Sequence, residues 1–166
     1  MNFEQAKIDI LLWITGFVEK PHPLLNGWPP CPHARKARLD GQFDIRQGQI
    51  DPYTDLMHAD LGDYLVIAYV YDRDLLTAER FNQQIDSVNQ GFLISRDIIA
   101  LADHPDDVEE VQGVLMNQGT YAIAFIQPLS KLNAFASQIA EKGYYNQWPD
   151  EYLEQLFKHR TDPRQS

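Results

Sequence analysis

The residue of this sequence best suited to chemistry is Cys31, the only cysteine among 166 residues. It lies in a proline-rich segment, Gly27 to Ala34, whose prolines stiffen the backbone. No helix breaker follows Pro32, which predicts a short helix from Cys31 to Leu39. A thiol at the start of a helix faces free N–H groups and the positive end of the helix dipole, and both favour the thiolate.

Two neighbours complete a candidate site. His33 can serve as a general base or as a second metal ligand. Arg35, one helical turn further on, adds positive charge beside the thiol. Cys31, His33 and Arg35 are therefore candidate catalytic residues of a small enzyme or redox protein, and the pattern identifies no cofactor or metal. The alternative is a non-catalytic binding or accessory module in which Cys31 is a buried structural side chain.

Arg35 also belongs to a basic cluster with Lys36 and Arg38, in a chain whose formal net charge is -10. On a helix, Lys36 is turned roughly 100° from Arg35, so the three side chains cannot share one narrow face. They either pair with acids of the same protein or bind a small anionic ligand, for which Arg35 is a natural donor. The acidic surface favours a basic protein partner and disfavours nucleic acid, whose binding needs many basic residues.

The tetrad Cys31-Pro32-His33-Ala34 resembles the active-site tetrad of thioredoxin-like oxidoreductases, with alanine in place of the second cysteine. The resemblance implies a monothiol site. The context departs from that family, because a predicted helix and a proline loop precede Cys31, where the thioredoxin fold has a strand.

A longer part of the chain resembles an uncharacterised bacterial family in the order of its segments. In that family an N-terminal helix with a tryptophan precedes Cys-Pro-Phe-Ala, α/β units, a strand ending in proline and a helix that starts with proline. Here Trp13, the tetrad at Cys31, the strand ending at Pro128 and Pro149 follow the same order, with His33 in place of the aromatic residue. The resemblance carries over no activity.

Two acidic clusters with histidine match no established metal-ligand spacing. We interpret both as solvated acidic turns, and the second also as a helix start. Their residues are Asp55, His58 and Asp60 in the first, and Asp103, His104, Asp106 and Asp107 in the second. The aromatic run from Tyr144 to Trp148 is predicted to form a surface patch, because it connects two helices.

The elements around these residues predict one α/β domain. An N-terminal helix and the proline loop occupy residues 1–41, residues 42–63 are mostly irregular, and residues 64–160 form the α/β core. Tyr64 to Tyr71 and Thr120 to Gln127 are predicted strands, Thr77 caps a helix, and a further helix runs from Asp103 to Gly119.

We expect a sheet of three to five strands covered by helices, in a parallel or a split β-α-β (ferredoxin-like) arrangement. The split arrangement would require the apolar segment from Phe92 to Leu101 to fold back as a hairpin.

The composition is that of a folded chain, with 44% hydrophobic and 23% charged residues. The sequence has neither an apolar run of membrane-spanning length nor a secretory signal at its start. We therefore expect a soluble, cytoplasmic protein with no membrane partner, and the oligomeric state is left open.

Overall fold

The computed structural model describes residues 1–165, which form a mixed sheet with helices on both faces. The helices are α1 (Phe3–Trp13), α2 (Ala34–Leu39), α3 (Pro52–Leu56), α4 (Ala78–Val88), α5 (Leu129–Glu141) and α6 (Asp150–Leu156). The strands are β1 (Phe43–Gln47), β2 (Val66–Tyr71), β3 (Ile98–Asp103), β4 (Glu110–Val111), β5 (Val114–Leu115) and β6 (Ala122–Pro128). Within residues 1–165, no helix is both long and apolar enough to cross a membrane.

The main sheet has the strand order β1-β2-β6-β3. β1 is parallel to β2, and β6 is antiparallel to both of its neighbours, β2 and β3. β2 and β3 therefore run in the same direction, are joined through α4, and are separated by β6. The predicted α/β class is confirmed, and a split β-α-β unit is present. The split arrangement does not require the segment from Phe92 to Leu101 to fold back as a hairpin, because β3 is one strand that pairs with β6.

Alternate residues of the two inner strands, β2 and β6, enter two different cores, as the period of a strand requires. In β2, Ile67 and Tyr71 join the core formed with α3 and α4, whereas Ala68 and Val70 join the core formed with α1. In β6, Ile126 joins the core with α3 and α4, and Ile123 joins the core with α1. The sheet is thus buried on both faces, and this explains why β2 and β6 are unbroken apolar runs in the sequence.

Two segments differ from the predictions. Residues 42–63, predicted to be mostly irregular, contain β1 and α3. Residues 103–119, predicted to be a helix, contain the hairpin β4–β5. The hairpin turns at Gln112 and Gly113, both with positive φ (52° and 77°), which is the geometry that a two-residue turn needs. Asn117 fixes the hairpin because its side chain accepts a hydrogen bond from Glu109 N at 2.8 Å.

Candidate functional site

A cavity of about 240 Å³ lies between the α1 face of the sheet, the loop around Cys31, α5 and the C-terminal segment. Cys31 and His33 both line it, so the structure places the thiol and the imidazole at one cavity. Most of the other walls are apolar or aromatic and include Trp13, Phe43, Phe125, Phe135, Tyr144, Tyr145 and Trp148. A concave, mostly apolar surface with a few polar groups is typical of small-molecule sites.

Two neighbouring segments hold the proline loop that carries Cys31. Cys31 N donates to Val18 O at 3.0 Å, which ties the loop to the segment after α1. The hydroxyl of Tyr144 donates to the carbonyl of Pro30, and the Tyr144 ring packs edge-on against Trp28, with centroids 5.4 Å apart. The thiol therefore has a defined position before any ligand binds.

Opposing effects act on the Cys31 thiol. Burial raises its pKa, whereas the backbone N–H groups of His33 and Ala34 and the positive charge of Arg160 lower it. Burial is the largest of these effects and the net shift is upward. The helix start thus contributes the N–H groups expected from the sequence, but the apolar cavity keeps the thiol protonated.

His33 stands over the ring of Phe135, with the two rings stacked 3.7 Å apart at an angle of 15°. Burial lowers the pKa of His33, and the nearby charge of Lys36 lowers it further. The imidazole is therefore neutral near neutral pH and has a ring nitrogen that can accept a proton.

Arg160 is a further polar group at the cavity, and no sequence pattern predicts its position there. Its guanidinium lies over the Phe157 ring at 4.7 Å from the centroid. Its Nε is buried and has no hydrogen-bond partner among residues 1–165. Burial lowers the pKa of Arg160, while Tyr145 and Cys31 raise it. A partly buried cation with an unused donor is suited to an anionic group.

The three candidate catalytic residues are not all brought together. Arg35 is exposed and lies outside the cavity walls. The rest of the basic cluster pairs within the protein: Lys36 contacts Asp40, and Arg38 forms a two-point ion pair with Glu19 at 2.7 and 3.0 Å. Arg160, more than a hundred residues along the chain from Cys31, is the cation at the thiol instead.

The predicted aromatic surface patch is wrong. Tyr144 and Tyr145 are only 6% and 8% exposed, and they pack with Trp148 and Phe157 into a small core under the cavity. Burial raises the pKa of Tyr145 to about 12. These side chains form the wall facing Cys31 because the last segment of the chain folds back onto the proline loop.

Asp55 and His104, one from each acidic cluster, make structural contacts. Asp55 accepts hydrogen bonds from Gln49 N and Ile50 N, and so closes the turn before α3. His104 is 1% exposed, its Nε2 lies 3.1 Å from Leu76 O, and its Nδ1 accepts from Asp106 N. Among the described residues, no three His, Cys, Asp or Glu side chains are grouped to hold a metal ion.

The arrangement unites a protonated thiol, a neutral imidazole and a partly unpaired guanidinium around one apolar cavity. Such a site can hold a small apolar molecule with an anionic end, and it can expose that molecule to a sulfur nucleophile. In the comparisons with known proteins, no family model, no curated protein and no solved structure matches this chain.

Proposed function

We propose that this protein is a thiol-dependent redox protein that binds a small, largely apolar disulfide with an anionic group in the Cys31 cavity. The observation that carries the proposal is the convergence of Cys31, His33 and Arg160 on one cavity. The chain has a single cysteine, so the chemistry is that of a monothiol.

Binding follows from the shape and charge of the site. The cavity of about 240 Å³ is slightly smaller than the roughly 300 to 1,000 Å³ of common ligand pockets, so a small molecule is expected. Its hydrocarbon part packs on the aromatic walls, and its anionic group accepts hydrogen bonds from Arg160. Because the guanidinium is partly desolvated, this contact is stronger than one at the surface.

The thiol reacts by exchange with the bound disulfide. The proton of Cys31 passes to His33, and the thiolate attacks one sulfur of the ligand. A bond forms between the Cys31 sulfur and that sulfur, the ligand's own S–S bond breaks, and the leaving sulfur takes the proton from His33. A second thiol from solution then releases the mixed disulfide. Arg160 favours the thiolate, since its charge lowers the pKa of Cys31.

The second candidate is a non-catalytic binding or accessory module in which Cys31 is structural. Burial of the sulfur, which raises the pKa of the thiol, favours this alternative. In this alternative the acidic surface binds a basic partner, and no covalent bond to Cys31 forms.

Exchange with dithiodipropionate and with its neutral dimethyl ester distinguishes the two candidates, with mixed-disulfide formation followed by mass spectrometry. Because the protein has one cysteine, every adduct reports on Cys31, and Cys31→Ser is the blank. We expect the ratio of the exchange rate of the dianion to that of the ester to be higher for the protein than for a small free thiol. Arg160→Gln should abolish this preference for the dianion. The loss of one charge-assisted hydrogen bond corresponds to a decrease of about tenfold in the rate ratio.

Arg35→Gln is the matched control, because it removes an exposed arginine outside the cavity. It should leave the preference for the dianion unchanged. His33→Gln should slow the exchange of both disulfides. The thiol proposal fails if the folded protein forms no adduct while the unfolded chain does, and the non-catalytic alternative then stands.

A further inference from the structure

A second concave surface lies at the free edge of β3, between α4 and the segment from Pro149 to Arg160. This acidic cleft encloses about 740 Å³, and its carboxylates include Asp103, Asp107 and Glu109. It adjoins the Cys31 cavity, and Cys31 and His33 do not line it. The walls that the two share include Leu101, Glu109, Phe125 and Arg160.

Asp103 has a buried oxygen that the protein itself leaves unused. The residue is 7% exposed, and its Oδ2 accepts a hydrogen bond from Gln118 N at 3.3 Å. Its Oδ1 is buried and has no hydrogen-bond partner among residues 1–165. Leaving a buried acceptor unpaired is costly, so native proteins rarely do it without a role for the group. Because Asp103 lines the cleft, a ligand in the cleft can supply a donor to this carboxylate.

The negative charge of the cleft is not neutralised around Glu109. Glu109 accepts a hydrogen bond from the Tyr152 hydroxyl at 3.0 Å. Burial, together with the charges of Asp103 and Asp107, raises the pKa of Glu109 to about 7. Carboxylates that repel one another in a low-dielectric site favour a bound cation.

The basic residues of the cleft contact groups other than Asp103. Lys158 contacts Asp86, and His159 Nε2 lies 3.3 Å from the same carboxylate. Arg160 lies over Phe157 and interacts with Tyr145. The carboxylate of Asp103 therefore has no ion-pair partner in the described part of the chain.

The donor set favours an organic cation over a metal ion. Only one oxygen of Asp103 is free, Glu109 already accepts from Tyr152, and no metal-ligand grouping occurs among residues 1–165. Apolar side chains of Ile99 and Leu101 line the same cleft and suit a hydrocarbon chain. We propose that the acidic cleft binds a small primary alkylammonium ion, whose N–H groups donate to Asp103 Oδ1 and to Glu109.

Calorimetric titration of the protein with pentylamine, slightly above neutral pH, tests this proposal. The neutral analogue pentanol should not bind measurably. Asp103→Asn keeps the size of the side chain and removes its charge, and it should weaken pentylamine binding at least about tenfold. Glu109→Gln should also weaken it. Glu141→Gln, which removes an exposed acid of α5 outside the cleft, should have no effect.

Three outcomes would overturn the proposal: no binding of pentylamine, equal affinity of Asp103→Asn and the unaltered protein, or tight binding of Ca²⁺ or Mg²⁺ in place of the amine. A thermal unfolding scan of each variant verifies that it is folded. Cys31→Ser should bind pentylamine normally, so the failure of the thiol proposal and the failure of this one are separate results.

Discussion

Replacing Asp103 by asparagine should stabilise the protein above neutral pH, although it removes a buried polar residue. Burial raises the pKa of the Asp103 carboxyl from its ordinary value of 3.8 to about 7, and the charge of Asp107 contributes to this. Hydrogen bonds from Gln118 and Asn117 act in the opposite direction but do not outweigh burial. The ionised side chain is therefore a source of instability in the folded state.

The pH dependence follows from the two protonation states. The unfolded chain releases the proton near the ordinary pKa, whereas the folded protein holds it until pH about 7. Asp103 consequently lowers the free energy of unfolding progressively as the pH rises between these values, and the loss stays constant at higher pH. About three pKa units at ~1.4 kcal/mol each give a loss of about 4 kcal/mol.

Urea unfolding of both proteins at about pH 4 and about pH 8 measures this loss. The advantage of Asp103→Asn over the unaltered protein should grow by several kcal/mol between the two pH values, with an unchanged dependence on urea concentration. Glu141→Gln should show no such growth, because Glu141 is exposed. If Asp103→Asn is the less stable protein at the higher pH, the carboxylate is stabilising and the reasoning is wrong.

Two further predictions concern packing and hydrogen bonds. A Cβ on Gly48 would lie 2.0 Å from the buried ring of Tyr71, so Gly48→Ala should lower the free energy of unfolding by roughly 1 to 3 kcal/mol. Gly91→Ala is the control, because a Cβ on Gly91 would meet no atom within 4 Å, and it should not lower the free energy of unfolding in this way. Asn89 accepts from Ala100 N at 2.8 Å and donates to Ala100 O at 2.9 Å, so Asn89→Ala should cost roughly 2 to 5 kcal/mol by leaving two buried backbone groups unpaired. Urea unfolding measures the free energy of unfolding of these variants. A change smaller than about 0.5 kcal/mol in Gly48→Ala or in Asn89→Ala would contradict the corresponding prediction.

The elements with strong local signals were predicted correctly. The apolar runs of β2 and β6 lie within two residues of their predicted bounds, and Thr77 caps α4 by accepting from Arg80 N at 3.3 Å. The helix predicted from Asp103 is wrong, because the Asp-His-Pro sequence imitates a helix start while Gln112 and Gly113 adopt a turn. That turn is stabilised by the long-range bond of Gln112 Nε2 to Gln147 O at 2.9 Å, which no local pattern reveals.

Only the residues of the candidate site that lie close together in the sequence could be predicted. Proline spacing and the lone thiol identify Cys31 and His33, and both line the cavity. Closeness in sequence predicts that Arg35 lies beside the thiol, but Arg35 is exposed on α2 and does not line the cavity. Arg160 and Tyr145 reach the thiol because the chain folds back after α5, and a contact over so long a separation leaves no periodic signal in one sequence.

The Asn89 side chain also affects how this molecule meets other copies of itself. β3 is an edge strand of the main sheet, and a free strand edge is a template on which a strand of another molecule can pair. At Ala100, in the middle of that edge, both backbone groups are already bonded to the Asn89 amide. An incoming strand would find its donor and acceptor positions filled at this residue, and it would have to displace a side chain that is only 2% exposed. One amide thus protects the β3 edge against edge-to-edge aggregation.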